Sequence, residues 1–191
     1  MKNIKTTTFL VVLIIGSLSI ACTVTNKYGP YYGKVVDIDT KQPIEGAAVL
    51  VVYLTEQYGL AGPVSHFADA QETLTDKNGE FKIPAIRINT FRLISGWDRY
   101  PHFNIFKPGY GCFPTHKYAK RQRKAIEEDA SRPDWSLPPK EYVTIELPAV
   151  KNESREERLR NTACLPSPSV PDKRFKKLRE LLEIEYKSIG Y

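Results

Sequence analysis

Three histidines, His66, His102 and His116, are the first places to look for acid–base or metal chemistry. No pair has the helical spacing of a zinc site, and none belongs to a His-Glu-x-x-His or Cys-x-x-Cys motif. His66-Phe67-Ala68-Asp69 could offer two ligands from a loop, and a hydrolase built around His66 and His102 is the enzymatic alternative to weigh. Asp76-Lys77-Asn78-Gly79-Glu80 has the oxygen donors of a calcium loop, but its glycine comes fourth instead of sixth and no bidentate Glu follows at twelve. A hairpin turn accounts for that run. Nucleophile elbows and phosphate-cradling glycine loops are absent. The residues therefore predict no catalytic group, no metal ligand and no cofactor. Aromatic chemistry is the richer vein: Trp97-Asp98-Arg99-Tyr100, with Trp135, could stack on a sugar ring or a protein partner, the alternative being that these rings fill the end of a β core.

The cysteines point to an exported protein. Lys2 and Lys5 precede seven apolar residues, Phe9 to Ile15, and uncharged character continues to Ala21. That is too short for a spanning helix and fits a signal peptide over residues 1–21. Leu18-Ser19-Ile20-Ala21-Cys22 resembles a bacterial lipobox, in which a small residue precedes a cysteine that is acylated before cleavage. Each buried methylene of such an anchor contributes about 0.8 kcal/mol to membrane attachment. The other reading of Cys22 is ordinary cleavage that leaves a free thiol. With Cys22 carrying lipid, Cys112 and Cys164 remain as a pair in an oxidising compartment, or else as two buried thiols.

The 191 residues carry 28 Lys+Arg against 22 Asp+Glu, a formal charge of +6. Loss of Lys2 and Lys5 with the leader lowers this to +4. So modest an excess, with no zinc-finger, helix-turn-helix or RNA-binding signature, argues against nucleic acid and favours anionic lipid near the anchor. With 41% hydrophobic residues the chain has the composition of a folded protein.

The elements that must position these groups are mostly strands. After a tether over 22–30, Tyr31 to Ile38 is β-rich and ends in the turn residues Asp39 to Pro43. Ala47 to Leu54 is apolar on both pleat faces, as a central strand covered on both sides requires. Gln71 to Thr75 and Glu80 to Ile83 flank Asn78-Gly79, a hairpin signal. His102 to Phe106 stops at Lys107-Pro108-Gly109, and Tyr142 to Leu147 alternates with Val143, Ile145 and Leu147 inward and Thr144 and Glu146 outward.

Four ordered motifs carry a resemblance: Gly33-Lys34-Val35-Val36-Asp37, Gln42-Pro43-Ile44-Glu45-Gly46-Ala47, Thr75-Asp76-Lys77-Asn78-Gly79-Glu80-Phe81 and Lys107-Pro108-Gly109-Tyr110. Residues 31–148 resemble the carboxypeptidase regulatory-like domains. The resemblance implies a mainly β fold, a seven-stranded Greek-key transthyretin-like sandwich, and a non-catalytic role as spacer or interaction surface. Two excursions depart from it, 57–69 and an insertion at 113–139 with a short helix near Tyr118 to Asp129. Loops of that length are commonly functional. The cluster Lys117, Lys120, Arg121, Arg123 and Lys124 lies in the second, either as a solvated helix face or against lipid phosphates.

Residues 149–191 read as a helical tail. Ser154-Arg155-Glu156-Glu157 is a capping box, and Phe175, Leu178, Leu182 and Ile189 form an apolar stripe stopped by Gly190. The tail's lysines crowd the N-terminal half of this second helix and its glutamates follow, against the macrodipole, so the helix must rely on docking. The expected protein is a non-catalytic lipoprotein of the bacterial cell envelope, held at the membrane by lipid on Cys22, with another envelope protein or a glycan as partner and no nucleic acid. A carbohydrate- or peptidoglycan-binding module using Trp97, Tyr100 and Trp135 is the alternative.

Overall fold

The most apolar run of the chain organises the rest. In a computed structural model that describes residues 23–60, 62–91, 95–122, 131–150, 153–161 and 164–190, this run opens strand β3, Ala48–Gly59. The leader and Cys22 lie outside the described residues. Val49, Val51 and Tyr53, with Ala47 just before the strand, face one apolar cluster, while Ala48, Leu50, Val52 and Leu54 face another. Period-two alternation in a strand with no polar face requires cover on both sides, and both covers are present.

The described residues form ten strands: β1 (Thr23–Tyr28), β2 (Tyr31–Asp37), β3, β4 (Gly62–Leu74), β5 (Glu80–Ile83), β6 (Ile86–Phe91), β7 (Ser95–Trp97), β8 (His102–Phe106), β9 (Lys120–Arg121) and β10 (Tyr142–Leu147). The fold is mainly β. One sheet runs β5-β2-β10-β9, with β2 and β10 parallel. The second has β4 on one side of β3 and both β8 and β7 along the other. The first cluster lies between them, joining Val35, Phe81, Ile83, Val143, Ile145 and Leu147 to Phe103 and Ile105. β1 and β6 pair as a separate antiparallel ribbon, so the segment expected as a tether is ordered from Thr23 onward.

The excursion 57–69 is no loop. β3 and β4 continue as one ladder from Ala48↔Leu74 to Gly59↔Gly62, with a bulge beside Tyr53 and Leu54, and beyond β7, which pairs with β3 as far as Gln57, they project as a short two-stranded arm. Nor does Asn78-Gly79 close a hairpin, because β5 pairs with β2 and not with β4. The turn is a corner between sheets. Asp76 Oδ1 accepts the Asn78 and Glu80 N–H groups at 2.9 and 2.8 Å, and the Gly79 carbonyl accepts Val35 N–H at 2.8 Å. A Cβ at Gly79 (φ +73°) would lie 2.5 Å from the Val35 oxygen, so close approach as well as positive φ demands glycine.

The second cluster is the outer face of β3 covered by the tail. Helix α1 (Arg155–Asn161) starts on the expected capping box: Ser154 Oγ accepts Glu157 N–H at 3.3 Å, and Glu157 Oε2 accepts Ser154 N–H at 3.1 Å. After a 3₁₀ turn (Asp172–Arg174), helix α2 (Lys176–Ser188) lays Leu178 and Leu182 against Phe106, Cys112 and Cys164. Its first turn carries no acid, and Phe175 offers no cap. Glu72 of β4 fills that role, its two oxygens accepting the Leu178 and Lys177 N–H groups at 2.6 and 3.0 Å. A carboxylate borrowed from the sheet thus meets the positive end of a helix whose own charges run the wrong way. Cys112 and Cys164 are disulfide-bonded with Cα atoms 5.6 Å apart, which ties the tail to the sheet.

Glu146 corrects the sequence reading of β10. It points to the expected side but is only 1% exposed, because residues of the 113–139 insertion fold over it. Lys41 Nζ and Gln122 Nε2 donate to Oε1 at 2.7 and 2.6 Å, and Lys120 Nζ lies 3.4 Å from Oε2. Burial pushes this carboxyl up, but the bonds from Lys41, Gln122 and Lys120 outweigh it and hold it below 4.5. Asp37 is lowered in the same way, burial being outweighed by the Thr40 and Asp39 N–H groups. A carboxyl lowered on folding adds stability that is present above its unfolded value and lost as pH falls through its folded one. Unfolding in urea at stepped pH should therefore show stability dropping below about pH 4, with a shallower drop in Glu146→Gln. An unchanged acid limb in that variant would show that Glu146 does not contribute to it.

Among the described residues no helix is long and apolar enough to cross a membrane.

Candidate ligand-binding cleft

Proline and turn residues close one end of the molecule. Asn26, Lys27 and Tyr28 end β1, Gly29 turns with φ +73°, and Tyr31 begins β2. Across from them stand Arg99 and Pro101, between β7 and β8, and Arg132, Pro139 and Lys140 from the approach to β10. Together these residues enclose a cleft of about 450 Å³. Among the described lining residues four are cationic, Lys27, Arg99, Arg132 and Lys140, and none is a carboxylate.

The walls are held in place. Lys140 N–H donates to the Pro30 carbonyl at 2.8 Å, and the Tyr32 hydroxyl donates to the Lys140 carbonyl. Tyr28 hydroxyl donates to the Asp98 carbonyl at 2.8 Å, and Asp98 Oδ1 accepts Tyr100 N–H at 2.9 Å. The guanidinium carbons of Arg99 and Arg132 each lie 5.2 Å from the Tyr100 ring centre, a cation–π arrangement. Burial pushes the Tyr28 hydroxyl up to about 12, the Asn26 hydrogen bond opposing it. Burial raises Tyr31 further, against the Gly29 backbone bond. Both are neutral phenols at ordinary pH, hydrogen-bonding groups and not nucleophiles.

The three aromatic residues singled out in the sequence come to this end, each already engaged. Trp97 packs on the first cluster with its ring edge-on to Tyr28 at 5.9 Å. Tyr100 lies between its two arginines, with its hydroxyl 2.8 Å from Ser131 Oγ. Trp135 stacks on His102 at 4.1 Å, and His102 Nε2 is 3.2 Å from Asp98 Oδ2. The other histidines lie elsewhere. His66 stands on β4 opposite Thr55, and His116 is buried, its Nδ1 accepting Tyr118 N–H at 3.1 Å and its Nε2 3.2 Å from Glu153. Among the described residues no group of three His, Cys, Asp or Glu side chains could hold a metal ion.

The basic cluster is not a helix where it is described. Lys117 sits over the Tyr118 ring, Lys120 and Arg121 form β9, and Arg121 is buried. Arg123 and Lys124 lie outside the described residues. The cleft cations were not legible as a group, because positions 27, 99, 132 and 140 share no spacing and Lys27 fell within the expected tether. No protein-family model, curated protein or solved structure matches this chain.

Proposed function

We propose that the chain is a non-catalytic lipoprotein of the bacterial envelope, exported by its leader and anchored through Cys22. The four motifs that resemble carboxypeptidase regulatory-like domains lie on β2, in the turn before β3, in the turn that leads into β5 and in the turn after β8, and we read the paired sheets as a transthyretin-like Greek-key sandwich. Its work is to bind another envelope protein. The observation that carries this reading is the cleft: among the described residues, the exposed Lys27 and Lys140 stand at a hollow of about 450 Å³ with braced walls. Two exposed ammonium groups at the rim of such a hollow suit an acidic segment of a partner.

Crosslinking in intact cells followed by copurification tests it. Lys27 and Lys140 are exposed, so Lys27→Glu with Lys140→Glu should leave the fold intact and cut partner recovery by about tenfold or more. Undiminished recovery from a folded double variant would remove the cleft from the binding surface. A carbohydrate is the second reading, favoured by the Tyr100 ring beside Arg99 and Arg132 and by Trp135 on His102 nearby in the chain. Specific signal on a glycan array that Trp135→Ala abolishes would select it.

A further inference from the structure

The far end of the β3–β4 arm exposes Tyr58, Leu60 and Val64, at 65%, 112% and 54%. Residues 57–68 contain no Asp, Glu, Lys or Arg, in a chain of which 26% is charged. The arm is a paired ladder to Gly59↔Gly62, so these side chains are presented on a built element. What covers them follows from where the described chain begins.

Tyr28 and Trp97 touch edge-on at 5.9 Å, and Trp97 pairs with Thr55. From that node the β1–β6 ribbon runs five residue steps from Tyr28 to Thr23, about 17 Å, and β3 runs five from Thr55 to Leu60, also about 17 Å. Phe91 pairs with Thr23 and Ser95 pairs with Gln57, and only four residue steps, at most about 14 Å, connect Phe91 to Ser95. The start of the described chain and the tip of the arm are therefore held toward the same end of the fold. The 22 residues before Thr23 include the leader and Cys22. Strand β1 begins one residue after Cys22, which leaves no slack between an acyl anchor and the folded ribbon.

We propose that the arm tip is a second membrane contact, with Tyr58, Leu60 and Val64 entering the interfacial layer of the bilayer that holds Cys22. The occupant is lipid. Apolar side chains with a tyrosine among them, on an uncharged turn, match the layer where headgroups meet acyl chains. Neither β1 nor β6 carries an acid, so the ribbon that begins beside the tip carries no charge that anionic headgroups would repel. Anchor and tip would fix the orientation of the molecule on the surface, by two points in place of one flexible tether.

This inference rests on the lipoprotein reading, and two measurements keep them apart. Mass spectrometry of the mature protein reports whether Cys22 is acylated. With Cys112 and Cys164 bonded and Cys22 acylated, Leu60→Cys supplies a single thiol for an environment-sensitive dye, and Glu183→Cys on exposed α2 is the control. In vesicles of phosphatidylethanolamine and phosphatidylglycerol, doxyl-labelled lipid should quench the dye at position 60 about twofold and leave position 183 unchanged. Acylated protein with no quenching at 60 overturns the tip contact while the anchor stands. Unacylated protein whose position 60 is still quenched, with the dye blocked from Cys22 by Cys22→Ser, upholds the tip and removes the anchor. A blue shift without doxyl quenching marks a protein neighbour, such as a second copy, and overturns the proposal.

Discussion

Replacing Cys112 and Cys164 with alanine together is expected to cost about 4 kcal/mol of folding stability. The bridge closes a loop of 52 residues, and restricting an unfolded chain by that much accounts for this value on the chain-entropy treatment. Alanine is the right replacement because both sulfurs are fully buried in the second apolar cluster, where a serine hydroxyl would add a desolvation cost of its own. For a chain of this size the midpoint of thermal unfolding should fall by roughly 8–16 °C. Reduced wild-type protein, unfolded in urea under the same conditions, should agree with the double variant. A loss below about 1 kcal/mol in both would mean that the unfolded chain keeps the two segments together without the bond.

Glu185→Ala should rank next, at about 3 kcal/mol. This carboxylate is 1% exposed on the inner side of α2. Its Oε2 accepts Gly109 N–H at 2.8 Å, and its Oε1 accepts Arg158 Nε at 3.2 Å and a second, closer contact from Nη2. One side chain thus joins the turn after β8, helix α1 and helix α2. Removal takes the Glu185 acceptor from a half-buried N–H and a largely buried guanidinium, which keeps its bond to Ser188 Oγ, and breaking a fully buried pair costs about 3–5 kcal/mol. The lower figure applies because the Arg158 side chain keeps 21% of its exposure. A double-mutant cycle with Arg158→Ala separates the pair from the Gly109 bond: the double variant should lose little more than Glu185→Ala alone. Additive losses would mean that the two side chains stabilise the protein independently.

Much of the fold was legible wherever a segment's own residues decide its fate. β2, β8 and β10 follow from β-rich runs bounded by turn residues, and the two-faced burial of β3 follows from its unbroken apolar composition. The Leu178–Leu182 stripe and the Ser154–Glu157 box are local patterns of the same kind. The disulfide was reached by counting, once one cysteine was set aside for lipid. What failed was decided by partners distant in sequence. β1 is polar Thr-Val-Thr-Asn-Lys and becomes a strand only because β6 offers an edge. Asn78-Gly79 fits a hairpin, yet Gly79 packs onto Val35 and turns the chain into the opposite sheet. Glu146 obeys the alternation rule, but alternation names a face and says nothing of what the insertion lays across it. The cleft was hidden for the same reason, since its cations come from four separated turns.

The parallel pairing of β2 with β10 has a consequence for how the molecule is made. Tyr32 is aligned with Tyr142, and Val36 with Glu146. At ordinary ribosome speeds the second partner of each pair emerges roughly 5–20 s after the first. Throughout that interval one edge of β2 has no strand to meet, and closing so wide a chain separation is intrinsically slow. A nascent chain built this way stays open until its final quarter is available, a state well suited to threading through a translocation pore before folding.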